Sequence, residues 1–591
     1  MIGIFIVVLT ITACYSLGFF LNSIILSKIN VYSRFEKTIF NIVIGIGILA
    51  FIVFFLGISG LIYASIFWVI LAALNILAAY LFFSNARSQK FEMPIFSVLE
   101  KVVIILIVLS GISHIVLSFR PVTNLDALSH LVLLPKSYIF KHAIYNLTRE
   151  VPFSTYPQLL GMLDTFVMAL ADEIAVNHLH LLIGFLTCGL IYLVGKKTVN
   201  RTAGLLSVLT IITSSVFFDM ASIAKIDIGI AFYTAAILYA LVKWEYEKNS
   251  IWFYVSIAFC ALSFGVKYNG AFLLILPAVF YVSQIWKEGK ISAELIRLIP
   301  LSAAVYLLLL SPWLIMNYAF TGNPLSPFLA KILGDRSQLP EMSGSISSYF
   351  EKASSGYFTY PKDVLLGMPI LFFAFFIKLI KNKAAVLALI SGALYFLIGD
   401  FFLLHADRVF FPAFILFFFV IGNVIHSAKI GGNKIIRYFI LTVYFAMIVY
   451  SLYAIINEIL RKENFPYFSG KESKTEFLKR DVTSYPITIP ANKLIPRGEY
   501  LWSLAESRGY YFDQKFIQGF SYITTDITRG NSPESIIEGM EKYNIKYVLF
   551  SREPYFLERQ HRIFNEGTFL AENFDLVANE GYCSIYKLKH E

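Results

Sequence analysis

The stretch VVIILIVLSGISHIVLSFRPVTNLDALSHLVLLPKSY, residues 102–138, joins a strongly apolar segment to a polar one. Its first part, Val102 to Leu117, consists mainly of Ile, Leu and Val, which is typical of a membrane-spanning helix. Three side chains with an acid, an imidazole and an ammonium group follow soon after this segment ends: Asp126, His130 and Lys136. The stretch therefore predicts a membrane helix that opens into a polar pocket at the membrane surface.

Composition extends this prediction to most of the chain. Of 591 residues, 57% are apolar and 16% aromatic, and the mean hydropathy is +0.68. A globular core could not bury so much apolar surface, and apolar runs long enough to span ~30 Å of hydrocarbon recur over the first 460 positions. The chain is predicted to be a polytopic α-helical membrane protein.

The formal charge of +10 does not indicate nucleic-acid binding. Residues 461–591 carry 18 Lys or Arg against 18 Asp or Glu, so the whole excess lies in the membrane part. Short loops with Lys and Arg mark the cytoplasmic side of membrane proteins. The charge excess is therefore a topology signal, and no nucleic-acid partner is expected.

Basic clusters fall on alternate connections between the apolar runs, which predicts about 14 transmembrane helices with both termini extracytoplasmic. Residues 1–101 hold additional N-terminal helices, 102–460 form the main membrane domain, and 461–591 form a soluble extracytoplasmic domain. Leu159 to Ala171 is apolar but short, and Asp164 interrupts it. Parity of the helix count favours a re-entrant or interfacial segment here, with a crossing as the alternative.

The outward connections carry ionisable or amide groups directly beside helix ends; they are residues 120–158, 219–227, 267–270, 318–363 and 401–408. All five fall on the same predicted face, which suggests one polar cavity open to the exterior. Ordinary solvated loops are the alternative. The long loop 318–363 also contains a run of aromatic residues between Tyr349 and Tyr360, which suits either a cover over a substrate or an insertion lying on lipid.

The tail after Arg461 changes character. It alternates turns with short mixed segments, among them a helix-like Ser535 to Lys542 and strand-like segments at Tyr547 to Phe550 and Ser584 to Tyr586. This pattern predicts a small α/β or α+β domain. It has no glycine-rich loop of a nucleotide-binding type, so a donor activated as a soluble nucleotide is not indicated.

Several short motifs occur in a characteristic order along the chain: an Asp just after a helix, Tyr156-Pro-Gln158, Lys225-Ile-Asp227, Gly265-Val-Lys267-Tyr-Asn269-Gly270, Pro312-Trp313, Asn317, Thr321-Gly-Asn323-Pro324, Pro327-Phe328 and His405-Ala-Asp-Arg408. In this order and membrane position, the chain resembles the polytopic GT-C glycosyltransferases, specifically the bacterial relatives of protein O-mannosyltransferases and of the lipid A aminoarabinose transferase. The resemblance spans roughly residues 102–591.

The resemblance implies sugar transfer, with inversion, from a polyprenyl-phosphate donor to a lipid, glycan or protein acceptor on the outer side of the bacterial inner membrane. By resemblance, Asp126 is the base that takes the proton of the acceptor hydroxyl. If Asn124 caps a short helix, Asp126 and His130 share one face of it, so His130 could orient the base or touch substrate. Position 127 is Ala, where many relatives carry a second acid, so a metal bridged by adjacent carboxylates is doubtful.

Each candidate has a structural alternative. Asp126 could cap the helix of its loop. Lys136 suits a phosphate partner or a lysine that reaches the headgroups. Tyr156 stands where relatives place a residue near the donor phosphate. Lys225 and Asp227 are candidates for the donor site but could simply pair with each other. A charged side chain inside the membrane is costly, which favours a function for Asp227.

The remaining candidates for substrate or donor binding are Lys267, Asn269, His405 and Arg408. Lys267 could be a plain boundary lysine. His405 and Arg408 precede an outward-facing helix end, and arginine suits phosphate because it binds in a bidentate manner.

Two rival functions remain open. The first is an O-antigen ligase or polymerase, which is also polytopic with a large outward loop but would not need a soluble C-terminal domain. The second is a transporter, which usually shows internal repeats and ionisable groups near the midplane. Here the charged positions gather at one face instead. The sequence names neither the sugar nor the acceptor.

Overall fold

The computed structural model describes residues 2–24, 33–86, 95–335, 367–372, 380, 382–402, 407–430, 434–461, 463–530, 532–554, 564 and 568–589. The fold has two parts, a helical bundle up to residue 460 and a small domain with a β-sheet after it. Residues 336–366, which include most of the long aromatic loop, lie outside the described part. So does His405.

The helices of the bundle are numbered here in chain order: α1 Ile2–Ile24, α2 Arg34–Ile58, α3 Ala64–Ala86, α4 Val98–Ser118, α5 Leu133–Lys141, α6 Leu159–Leu170, α7 Ile174–Thr198, α8 Arg201–Thr213, α9 Ser215–Ala221, α10 Asp227–Glu247, α11 Ser250–Val266, α12 Ile275–Glu288, α13 Ala293–Thr321, α14 Ala330–Leu333, α15 Lys383–Phe402, α16 Phe411–Ile430 and α17 Lys434–Leu460. Short 3₁₀ turns precede α6, α12 and α16, at Pro152–Thr155, Tyr268–Leu274 and Asp407–Phe410.

Among the described residues, ten helices are long and apolar enough to cross a membrane, and eleven if the bent pair α8 and α9 is counted as one span. The chain is therefore a multi-pass membrane protein. The predicted number of 14 is not confirmed. The shorter helices α11 and α15 are also apolar, and the predicted span at 364–380 lies largely outside the described residues.

One end of the bundle gathers basic residues in ion pairs. The ammonium of Lys243, a side chain with 1% exposure, lies 3.1 Å from Glu36 and 2.5 Å from Glu247. Lys197 at the end of α7 pairs with Glu247 at 3.8 Å. These contacts join the ends of α7 and α10 to the start of α2. Basic connections that were predicted to share one face therefore meet at one end of the bundle.

Helix α6 begins and ends at the opposite end of the bundle. Tyr138 of α5 donates to Gln158, just before α6, at 3.3 Å, and Glu173, just after it, pairs with Lys474 of the tail domain at 2.5 Å. Its twelve residues rise only ~18 Å, less than the ~30 Å of hydrocarbon in a membrane. The re-entrant or interfacial location of this segment stays a prediction.

The tail domain has a five-stranded mixed sheet, as predicted for an α/β or α+β domain. The strands are β1 Tyr500–Ser503, β2 Lys515–Ile517, β3 Ile545–Ser551, β4 Phe574–Glu580 and β5 Cys583–Leu588, in the spatial order β2-β1-β3-β5-β4. Both neighbours of β1 run parallel to it, whereas β5 runs antiparallel to β3 and β4. The helices are α18 Phe465–Phe468, α19 Lys474–Asp481, α20 Tyr485–Leu494, α21 Tyr522–Thr528, α22 Pro533–Lys542 and α23 Thr568–Asn573.

The tail domain rests on the bundle end that carries loop 120–158, which we call the first loop. The Tyr511 hydroxyl donates to the Val122 carbonyl at 2.9 Å, and the backbone amide of Gln518 donates to the Glu150 carbonyl at 3.2 Å. Arg120, at the start of the loop, pairs with Glu458 near the end of α17 at 3.1 Å. The first loop is therefore enclosed between the bundle and the tail domain.

Candidate active site

A short helix in the first loop presents the predicted base. The Asn124 side chain accepts from the amides of Asp126 and Ala127 at 3.0 and 3.3 Å, so Asn124 caps this helix as expected. The next turn, Ala127–Leu131, is a π-helical turn. Asp126 lies just before it and makes no side-chain capping bond. The capping alternative therefore applies to Asn124 and not to Asp126.

Arg408 forms an ion pair with Asp126. The guanidinium comes from the 3₁₀ turn that precedes α16, and its Nη1 donates to Asp126 Oδ2. About one third of each side chain remains exposed, 30% for Arg408 and 34% for Asp126. The predicted base and a residue predicted to bind the donor, 282 positions apart in the sequence, are thus in direct contact.

A second ion pair joins Asp227 and Lys267. Asp227 is the first residue of α10, and Lys267 lies between α11 and the following 3₁₀ turn. The Lys267 ammonium is 3.0 Å from the carboxylate, which is only 4% exposed. Pairing of Lys225 with Asp227 was the alternative reading of the sequence. It is wrong, because the partner of Asp227 is Lys267.

Lys225 is held by its backbone. Its amide donates to His180 Nδ1 at 3.0 Å, and His180 Nε2 lies 3.1 Å from Asp164 Oδ1. An acceptor at Nδ1 places the proton on Nε2, which donates to the buried carboxylate. Within the part of the chain that the structure describes, the half-buried Lys225 ammonium has neither a hydrogen bond nor an ion pair. It is therefore available for an anion.

His130 belongs to the same charged group. Burial, and then the positive charge of Lys267, lower the pKa of His130 to about 3, from an ordinary value of about 6.5. An imidazole whose pKa is lowered loses its proton well below neutral pH and stays neutral above it. At neutral pH the His130 imidazole is therefore uncharged, and it can donate or accept a hydrogen bond.

We expect His130→Gln to change the rate of the reaction without changing the shape of its pH profile between about pH 5 and 8, since a group with so low a pKa does not titrate there. The measurement is the initial rate of wild type and variant over that range. A fall in the wild-type rate below about pH 6.5 that is absent in the variant would mean that His130 does titrate.

An aromatic wall stands beside Lys267. Tyr156 packs edge-on against Tyr268 at 5.3 Å between ring centroids, and Tyr268 donates to the Ser326 carbonyl at 2.8 Å. Burial raises the pKa of Tyr156 to about 12, so its phenol stays protonated. Next to Tyr268, the amide oxygen of Asn269 is buried and has no hydrogen-bond partner among the described residues.

Lys136 is engaged elsewhere. Its ammonium donates to the carbonyls of Tyr510 and Phe512 at 2.7 and 2.8 Å and lies 3.6 Å from Asp513. Two of its three N–H donors are thus used by tail-domain carbonyls, and Asp513 adds an ion pair. Burial lowers the pKa of Lys136, and Asp513 opposes that effect. Both sequence interpretations, a phosphate partner and a headgroup lysine, miss this contact, which attaches the tail domain to α5.

The structure thus brings together Asp126 with Arg408 and Asp227 with Lys267, and His130 lies within the field of Lys267. Sequence reasoning missed the support given by His180, although an ionisable residue in an apolar helix was a signal. Among the described residues, no three His, Cys, Asp or Glu side chains are arranged to hold a metal ion. Asp126 has Ala127 beside it in place of a second acid.

The chain is similar to known proteins in part of its sequence and in its overall fold. Residues 157–316 match the family model described as dolichyl-phosphate-mannose-protein mannosyltransferase. No curated protein is matched by sequence. The structure of ArnT from Cupriavidus metallidurans bound to undecaprenyl phosphate superposes with a TM-score of 0.55 at 14% identity, covering 82% of this chain and 98% of that one.

The apo structure of the same ArnT gives a TM-score of 0.53 at 13% identity and covers 83% of this chain and 98% of that one. An oligosaccharyltransferase from Archaeoglobus fulgidus gives 0.45 at 13% identity, covering 76% and 70%. The family-model match and the fold shared with ArnT confirm the resemblance seen in the sequence at the level of the fold, which is ArnT-like.

Proposed function

We propose that the chain is a membrane glycosyltransferase, which moves a sugar from a polyprenyl-phosphate donor to an acceptor hydroxyl at the outer face of the membrane. The observation that carries this proposal is the contact between Asp126 and Arg408, a carboxylate and a guanidinium at the end of an apolar bundle. In support, ArnT has the same fold and was solved with undecaprenyl phosphate. The basic residues at the opposite end favour a cytoplasmic location for that end.

In the proposed reaction, the acceptor oxygen forms a bond to the anomeric carbon while the bond from that carbon to the phosphate oxygen breaks. The acceptor proton passes to Asp126, and the electron pair of the broken bond stays on the polyprenyl phosphate. An ion pair requires the ionised carboxylate, which is the form that accepts a proton. Attack opposite to the leaving phosphate inverts the configuration at the anomeric carbon.

Arg408 is suited to connect the base with the donor. A guanidinium has five N–H donors in a planar fork, and the contact with Asp126 uses only part of them. The rest of the fork can bind a phosphate oxygen. Arg408 would then hold the phosphate close to Asp126 and stabilise the charge that develops as the phosphate leaves.

Lys225 would supply a second positive charge to the phosphate, because His180 holds its backbone amide and its ammonium has no partner among the described residues. Lys267 already balances the buried charge of Asp227 and would orient rather than neutralise the donor. The buried Asn269 amide oxygen and the neutral His130 and Tyr156 offer hydrogen bonds without charge. Such groups suit the hydroxyls of a sugar.

The donor site can be tested with undecaprenyl phosphate, the product that the proposed reaction would release. We expect Lys225→Ala to raise the inhibition constant of added undecaprenyl phosphate about 10-fold in proteoliposomes, since a charged hydrogen bond is lost. Lys225→Arg should keep most of the inhibition. Lys248→Ala is the matched control, because Lys248 is 53% exposed at the opposite end of α10. Equal inhibition of both alanine variants would remove Lys225 from the phosphate site.

A further inference from the structure

The π-helical turn beside Asp126 breaks the hydrogen-bond sequence of the first-loop helix. The Val132 amide donates to the Ala127 carbonyl at 3.0 Å, five residues back. In a continuous α-helix this amide would donate to Leu128 instead. The Leu128 carbonyl therefore loses its usual partner. Such turns are rare and often lie at functional sites.

The tail domain supplies donors to this turn. The Tyr510 amide donates to the Leu128 carbonyl at 3.2 Å, and the Gln518 side chain donates to the Ser129 carbonyl at 2.6 Å. The Ser129 hydroxyl donates to the Leu125 carbonyl at 2.6 Å, and its oxygen lies 3.0 Å from the Ser507 hydroxyl, which can donate to it. Gln518 is fully buried, and Ser129 and Ser507 are buried to at least 95%. Unpaired carbonyls in such a place would cost free energy, so the turn depends on these donors.

The tail-domain residues at this contact are held by further hydrogen bonds and ion pairs. Glu506, which is fully buried, accepts from the backbone amides of Ser507 and Arg508 at 2.9 and 2.8 Å. Its carboxylate also accepts hydrogen bonds from the Arg508 guanidinium. Arg508 also pairs with Glu553 at 2.8 Å. The backbone amide of Gln518 donates to the Glu150 carbonyl, which fixes the position of this residue. The tail domain can therefore hold the π-helical turn in a defined position.

We propose that Gln518 and Ser507 are positioning residues, through which the tail domain sets the π-helical turn and thereby the direction of Asp126 and His130. The contacts themselves do not depend on the proposed function. Only their consequence for catalysis rests on it. The tail domain is then part of the active site's support rather than a separate module. Small displacements of a reacting group cost up to about 10²-fold in rate.

The test compares two buried glutamines of the tail domain. Gln518 bonds across to Ser129, whereas Gln514 donates to the Ala491 and Ile495 carbonyls inside its own domain, at 3.2 and 2.9 Å. We expect Gln518→Met to lower kcat by roughly 10-fold or more with little change in the KM for the lipid donor. Gln514→Met should leave kcat near that of wild type.

Hydrogen–deuterium exchange gives a readout that does not need activity. Amides of residues 125–134 should exchange faster in Gln518→Met than in wild type, and Gln514→Met should leave them unchanged. Equal exchange and equal kcat in the two variants would overturn the positioning role. Faster exchange in Gln518→Met, combined with full activity of Asp126→Asn, would keep the contact but refute the proposed function. The two failures are thus distinguishable.

Discussion

Replacing Arg408 with Ala should lower sugar transfer by at least about 10²-fold, because Asp126 loses its ion-pair partner and the leaving phosphate loses a charged donor. Arg408→Lys keeps one positive charge but not the planar fork, so it should recover only part of the rate. The measurement is kcat/KM for the lipid donor in proteoliposomes, with protein insertion checked for each variant.

Arg497→Ala is the matched control for Arg408. Arg497 also pairs with an aspartate, Asp513, at 3.1 Å, but it is 71% exposed on the tail domain. Its loss should leave transfer unchanged, since exposed pairs contribute little. A fully active Arg408→Lys variant would show that a point charge is enough and that the fork does not connect base and phosphate. A fully active Arg408→Ala variant would remove the residue from the mechanism.

Asp126→Asn should keep the fold and donor binding and lose transfer by at least about 10²-fold, the lower range for general-base catalysis. An amide nearly matches a carboxylate in shape but cannot take the acceptor proton. A purely structural role predicts little loss, and Asn124 already provides the helix cap. Asp526→Asn is the control, because Asp526 pairs with Lys542 at 2.7 Å in the tail domain, away from the bundle.

The effects of Asp126 and Arg408 should not add. The two side chains contact each other, and residues that act as a unit give non-additive losses. The double variant Asp126→Asn with Arg408→Ala is therefore expected to lose little more transfer activity than the single variant with the larger loss. Additive losses would mean that the two groups act on the reaction independently.

The sequence located the charged positions because they break long apolar runs. Asp126, Asp227 and Lys267 stand beside helix ends, where burial of charge is costly and needs a reason. The pairs themselves could not be read from the sequence. Lys225 and Asp227 are near neighbours, yet packing of α11 beside α10 gives Asp227 a distant partner in Lys267.

The contribution of the tail domain had no sequence signal. Ser507 and Gln518 lie in ordinary loops, and their contact with Ser129 arises only when residues nearly 400 positions apart are folded together. The π-helical turn was equally hidden, because residues 127–134, ALSHLVLL, are mostly apolar and show no helical period that an extra residue would shift. In the sheet, the predicted strand segments lie in β3 and β5, whereas β1 and β2, with four and three residues, are too short to show alternation.

The most direct test of the central claim is a donor assay with the purified chain in proteoliposomes. Wild type and Asp126→Asn would be given sugars linked to undecaprenyl phosphate, and separately nucleotide sugars, with a cell-envelope extract as acceptor. The account predicts that wild type releases undecaprenyl phosphate and transfers sugar from at least one lipid-linked donor, while Asp126→Asn binds that donor without transfer. Transfer from nucleotide sugars with all lipid-linked donors inert, or equal transfer by wild type and variant, would contradict it.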